Sequence, residues 1–245
     1  MSIASLAMYP FEHLRPAYDH FWDSVRGRLT FEAPALDWDT DPLVACRRDD
    51  LVLGQTCGWP LVTELASSVR VVGAFDCGMD ETRDGTYYSV LVSSSGDQLD
   101  EILARPDLVV VANASDSLSG WISLRVATAA AGRHIDAAVW TGSHAASIDA
   151  VRDDRAHLAA IDGVTWAHIG TDTLHLVGRG PRIPCLPLVT SRSTTDAALA
   201  ELRLALGDTV HDPAMAGVCA TLKIRDFLVR DLADYEGLSG LAELW

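Results

Sequence analysis

Three times along the chain, at residues 51–61, 108–120 and 139–147, a short apolar run gives way to a loop of small polar residues and then to a helix start. This unit constrains the fold more than any other feature. A strand leading through a tight polar loop into a helix is the building block of α/β sheets, and its repetition calls for mixed, mostly parallel sheets flanked by helices. In such sheets ligands collect beyond the carboxyl ends of the strands. Helix starts there present unpaired N–H groups and about half a positive charge each, which suits an anion.

Periodicity fills in the rest of the order. Strands are expected at residues 3–8, 51–54, 69–74, 87–93, 108–112, 137–140, 165–169, 174–177 and 188–191. Helices are expected at 14–28, 60–67, 120–131 and 145–152, with a further short helical piece at 156–161. Thr195 or Asp196 caps a helix over 197–206, and Asp212-Pro213 opens the next one, leaving a helical remainder.

Charge narrows the partners. Asp and Glu number 34 against 19 Lys and Arg, a net charge of −15. Such a field argues against nucleic acid and anionic membranes. It leaves room for a small anion, because net charge is screened beyond about 10 Å in salt while a buried site feels the nearest dipoles. The longest apolar runs are strand-sized, far short of the roughly 20 residues of a membrane span, so no membrane insertion is expected. The five cysteines are scattered without metal-ligand spacing, and neither a metal nor a cofactor is implied. Met1 to Tyr9 has no basic segment before a short apolar stretch and reads as a first strand. The chain as it stands reads as cytoplasmic, or as periplasmic if a leader has been removed.

The candidate chemistry lies in the loops. Asn113-Ala114-Ser115-Asp116-Ser117-Leu118-Ser119-Gly120 offers the hydroxyls of Ser117 and Ser119, and Gly120 lets backbone approach a bound oxyanion. The same composition also makes an ordinary capping turn. His144, in Gly142-Ser143-His144, can donate to an anion and changes charge near neutral pH. Asp162 can hold a ligand amine, share a proton with a phosphonate, or simply start a turn. Cys57 sits at a helix start, where a thiol can become nucleophilic, so an enzyme using Cys57 or the His144/Asp162 pair on a small anionic substrate stays open. Tyr9 and Tyr87 can wall a ligand or pack a core.

Taken in order, six segments resemble the phosphate/phosphite/phosphonate substrate-binding family of ABC transporters. They are Leu6 to Tyr9, Gln55-Thr56-Cys57-Gly58-Trp59-Pro60, Tyr87-Tyr88-Ser89, Asn113 to Gly120, Ser143 to Ser147, and Ala159 to Asp162. The resemblance implies a two-lobed type II periplasmic-binding-protein fold, with residues 1–88 plus 190–245 in one lobe and 89–189 in the other. It implies binding without catalysis: a small oxyanion captured between lobes that close about two crossing strands, with an ABC-transporter permease as a further partner. Asn113, Ser117, Ser119, Gly120, His144 and Asp162 would hold the ligand from one lobe. Tyr9, Cys57, Gly58 and Trp59 would face it from the other, with Tyr87 at the crossing.

Overall fold

The computed structural model describes residues 2–79 and 84–243. The chain divides into two compact units, Met1–Thr86 with Pro184–Gly237, and Tyr87–Ile183 with Leu238–Trp245. Each has one five-stranded mixed sheet.

In the first unit the strand order is Ile3–Ser5, Leu51–Gln55, Pro187–Ser191, Val69–Asp76, Asp226–Leu228. Ile3–Ser5 and Leu51–Gln55 run parallel, and Pro187–Ser191 is antiparallel to both its neighbours. The helix Arg15–Arg26 begins with Pro16 in its first turn and buries Tyr18, Phe21, Trp22 and Val25, a one-sided stripe of helical period. Trp22 Nε1 donates to the Pro34 carbonyl at 2.7 Å, which satisfies the indole inside the core. The last strand is pinned by an ion pair: Arg225 donates from Nε and Nη2 to both carboxylate oxygens of Asp76 at 2.8–3.1 Å, and Asp76 is 1% exposed.

In the second unit the order is Val139–Trp140, Val110–Ala112, Leu158–Asp162, Ser89–Ser93, His175–Arg179. The first three are mutually parallel, and Ser89–Ser93 is antiparallel to both neighbours. Alternate residues divide cleanly between two cores. Val90, Val92, Val111, Ala159 and Ile161 pack on one face, with Leu91, Val110, Ala112, Leu158 and Ala160 on the other. Both faces of this sheet are covered at its centre, so the central strands carry apolar residues on both faces.

That burial explains one inversion. Residues 156–161, expected as helix, contribute to the strand Leu158–Asp162, and residues 165–169, expected as strand, belong to the helix Gly163–Ile169. A short all-apolar run has no period to separate a doubly buried strand from a buried helix. The signal that decides it is Asp162, whose Oδ1 accepts from Thr165 N at 2.9 Å and so starts a helix. The helix Leu99–Leu103 and the strand Asp226–Leu228 were not anticipated. The first strand ends at Ser5 rather than Met8. No helix among the described residues is long and apolar enough to cross a membrane.

Candidate functional site

Because three neighbouring strands of the second unit run parallel, their carboxyl ends open on one edge, and each leads into a polar loop and a helix. Val110–Ala112 leads to Asn113 and on to a π-helical turn, Leu118–Ile122, continued by the helix Ser123–Ala130. Single π turns inside helices recur at functional sites because they displace one peptide from the regular ladder. Val139–Trp140 leads to His144–Arg152, capped by Ser143 Oγ accepting from Ala146 N at 3.1 Å. Leu158–Asp162 ends on Asp162 itself. The first two loops are tied together: Thr141 N donates to the Ala112 carbonyl and Gly142 N to the Asn113 carbonyl, each at 3.0 Å.

The edge brings Asn113, Ser117, Ser119, Gly120, His144 and Asp162 onto one side of the sheet. Ser119 Oγ lies 3.0 Å from His144 Nε2, a side-chain contact that adds to the two backbone links between these loops. Ser117 Oγ accepts from Gly120 N at 3.0 Å, and the Ser117 carbonyl accepts from Ile122 N at 3.0 Å. The Gly120 N–H, expected to face an anion, therefore already donates to Ser117 Oγ, and the hydroxyls become the main donors. Gly120 is required for a different reason from ligand approach: a Cβ there would stand 1.9 Å from Asn113 Oδ1 and 3.0 Å from Ser117 Oγ.

Burial lowers the His144 pKa below the ordinary imidazole value, while the Asp162 carboxylate and the Ala160 backbone pull it the other way. Nδ1 is enclosed without a hydrogen-bond partner, and the Ala160 backbone lies near enough to the ring to raise its pKa. A proton on Nδ1 suits that neighbour, so the neutral ring accepts from Ser119 O–H at Nε2. When His144 is protonated the direction reverses, because Nε2–H must donate to Ser119 Oγ. The Ser119 proton is then free for another acceptor. His144 and Ser119 together form a donor whose availability depends on pH.

In the first unit, Ile3–Ser5 and Leu51–Gln55 are parallel, so residues 6–9 and 56–59 leave the same sheet edge. Tyr9 and Gly58 are buried, Cys57 and Trp59 half-buried. Cys57 precedes the short helix Gly58–Pro60, which runs into a second π turn, Leu61–Leu65. The loop construction of the two units is thus alike. Tyr87 is fully buried, and its neighbour Tyr88 joins one core of the second unit beneath the Arg179 guanidinium at 4.6 Å. The sequence pattern did not single out Gln55 or Ser123, whose side-chain oxygens are enclosed without a partner. A groove of about 290 Å³ along Val139, Trp140 and Arg155 lies beside the His144 helix rather than at the Ser119–His144 contact. No cluster of metal-ligating side chains occurs among the described residues.

The family model described as the periplasmic substrate-binding protein of ABC phosphonate transporters matches residues 59–235. Among solved structures, a binding-protein component of an ABC phosphonate transporter from Pseudomonas aeruginosa superposes with a TM-score of 0.75 at 17% identity, covering 99% of this chain and 85% of that one. PhnD1 from Prochlorococcus marinus in complex with methylphosphonate gives 0.71 at 16%, covering 99% and 97%. A Xanthomonas citri protein bound to ATP gives 0.69 at 12%, covering 100% and 97%. These likenesses establish a type II periplasmic-binding-protein fold. None of the curated proteins matches the sequence.

Proposed function

Since this chain belongs to the periplasmic substrate-binding family of ABC phosphonate transporters, we propose that it captures a small phosphonate- or phosphate-like oxyanion, without catalysis, at the Ser117–Gly120 helix start. The observation that carries the reading is the 3.0 Å contact between Ser119 and His144, which sets a hydroxyl pair and an imidazole beside a helix N-terminus. In an acidic protein such local donors can outweigh net charge. The two units, Met1–Thr86 with Pro184–Gly237 and Tyr87–Ile183 with Leu238–Trp245, act as the two lobes of a binding protein. Tyr9, Cys57, Gly58 and Trp59 are the residues of the first unit assigned to the ligand, together with Tyr87 of the second. Asp162 buttresses His144, and a transporter permease receives the loaded protein.

Each hydrogen bond to a charged ligand is worth about 1.5–3 kcal/mol. Ser119→Ala is therefore expected to weaken methylphosphonate binding roughly 10- to 150-fold, since about 1.4 kcal/mol is tenfold. Ser117→Ala is expected to weaken it similarly and also to lower stability by about 1 kcal/mol, because it removes the cap on Gly120 N. Calorimetry and thermal melts separate the two effects. Cys57→Ser is expected to leave affinity nearly intact, and incubation with phosphonates, phosphate esters and thioesters should give no turnover. Turnover that disappears in Cys57→Ser would establish an enzyme instead.

The Ser119–His144 pair sets a pH dependence. An anion on Ser119 raises the His144 pKa, so binding takes up a proton. Affinity is then greatest below the free-state pKa and is lost as pH rises through the bound-state pKa. His144→Gln should flatten that part of the profile between pH 5.5 and 8.5. An unchanged profile in the variant would assign the dependence to the ligand alone.

A further inference from the structure

Thr141 joins the strand Val139–Trp140 to the helix that begins at His144. Its Oγ1 meets three groups: the Ala112 carbonyl at 3.2 Å, the Ser143 carbonyl at 3.1 Å and Ser147 Oγ at 2.6 Å. The number of protons fixes the directions. Carbonyls only accept, so the single Thr141 proton is shared between them, and Ser147 donates its own proton to Thr141. Ser147 is fully buried, so this donation also satisfies a hydroxyl that water cannot reach. None of this is needed to cap the helix, because Ser143 Oγ already does so by accepting from Ala146 N. What the hydroxyl adds is a tie from the helix start to the end of the strand Val110–Ala112, beside the backbone bond from Thr141 N to the same Ala112 carbonyl.

The tie brackets one residue. Ser143 is the N-cap and Ser147 lies one turn into the helix, so the two groups that Thr141 holds there flank His144 along the chain. Gly142, at φ +84°, makes the turn between Thr141 and the N-cap. On the other side, the strand end runs on through Asn113 into the segment that carries Ser119. We propose that Thr141 is a positioning residue for the oxyanion site: its hydroxyl sets the His144 imidazole against Ser119, and through that contact it governs both affinity and the response of binding to pH. The groups that act on the ring are Ser119 from the first loop, and the Asp162 carboxylate and Ala160 backbone from the strand Leu158–Asp162. Thr141 carries no charge, so it alters the behaviour of the ring only through the ring's position. The inference rests on the reading that the oxyanion sits at Ser117–Gly120, and it adds a residue that serves the site without being assigned to the ligand.

The test is calorimetric titration of methylphosphonate between pH 5.5 and 8.5, each protein also being melted. The proteins are the unaltered chain, Thr141→Val, Thr141→Ser, His144→Gln, and Thr141→Val combined with His144→Gln. Thr141→Val keeps the shape and removes the hydroxyl. It should weaken binding at pH 6 roughly tenfold, the size of a coupling within one hydrogen-bond network, and should flatten the pH profile as His144→Gln does. Thr141→Ser should bring affinity back to within about threefold, together with the profile. With His144 already replaced, Thr141→Val should cost less than about threefold more, because the position of the ring no longer matters. A hydroxyl with a merely structural role would lower the melting temperature and leave the affinity and pH profile of the folded protein unchanged, which overturns the inference. So does a full further loss in the double variant. If valine prevents folding, Thr141→Cys, with only a weak donor, should weaken binding at least about threefold and flatten the profile, and an unchanged affinity and profile there overturns the inference equally. An unaltered protein that binds no methylphosphonate overturns the site assignment and this role with it, whereas binding that responds to His144→Gln and ignores Thr141→Val overturns only the role given to Thr141.

Discussion

Valine at Gly120 is expected to weaken methylphosphonate binding by more than about 100-fold and to lower stability by about 1–3 kcal/mol, the usual cost of overpacking. Its Cβ would occupy space 1.9 Å from Asn113 Oδ1, far inside contact distance, so the carboxamide must leave its place or the first turn must shift. The helix start that carries Ser117 and Ser119 moves with it. The Cβ alone makes the clash, so Gly120→Ala should lose most of the same affinity. Calorimetry beside a thermal melt checks both variants. Tolerance of alanine with rejection of valine would mean that ligand crowding, and not the Asn113 contact, is what requires glycine here.

Alanine at Asp76 is expected to be the most destabilising single change, by about 3–5 kcal/mol, the range for removing one partner of a buried ion pair. Asp76 holds three hydrogen bonds from Arg225 and also accepts from Gly78 N at 3.1 Å. Without it a largely enclosed guanidinium loses its counter-charge, and the strand Asp226–Leu228, paired residue for residue with Asp76, Phe75 and Ala74, loses its anchor. The melting temperature should fall on the order of 10 °C. Replacing both partners, as in Asp76→Leu with Arg225→Met, should cost less than Asp76→Ala alone, because no charge is stranded. A double variant as unstable as the sum of the two singles would show that the two side chains are not energetically coupled.

What the sequence made legible follows from how local each feature is. The loop Asn113 to Gly120 and the cap at Ser143 announce themselves, because small polar residues before a helix act over three or four positions. The run of aromatic and β-branched residues over 87–93 was readable as strand for the same reason. Residues 158–169 were inverted because burial on both sheet faces erases alternation, and that burial comes from helices packed on the two faces, such as His144–Arg152 on one and Ser123–Ala130 on the other. The Ser119–His144 contact spans 25 positions and exists only because the strands Val110–Ala112 and Val139–Trp140 are neighbours in the sheet. The same holds for Asn113 over Gly120: both residues were visible as candidates, but the reason for the glycine lies in a side chain folded back from the strand end. Arg225 with Asp76, 149 positions apart, left no sequence signal at all.

The most direct test of the binding account is one isothermal titration of methylphosphonate into the unaltered protein and into Ser119→Ala at pH 6. The expected result is a single saturable site with no turnover of the ligand, weakened roughly 10- to 150-fold in the variant while its melting temperature is unchanged. Equal affinity in the two proteins would place the anion elsewhere, and an absence of binding heat and of any thermal shift in the unaltered protein would contradict oxyanion capture altogether.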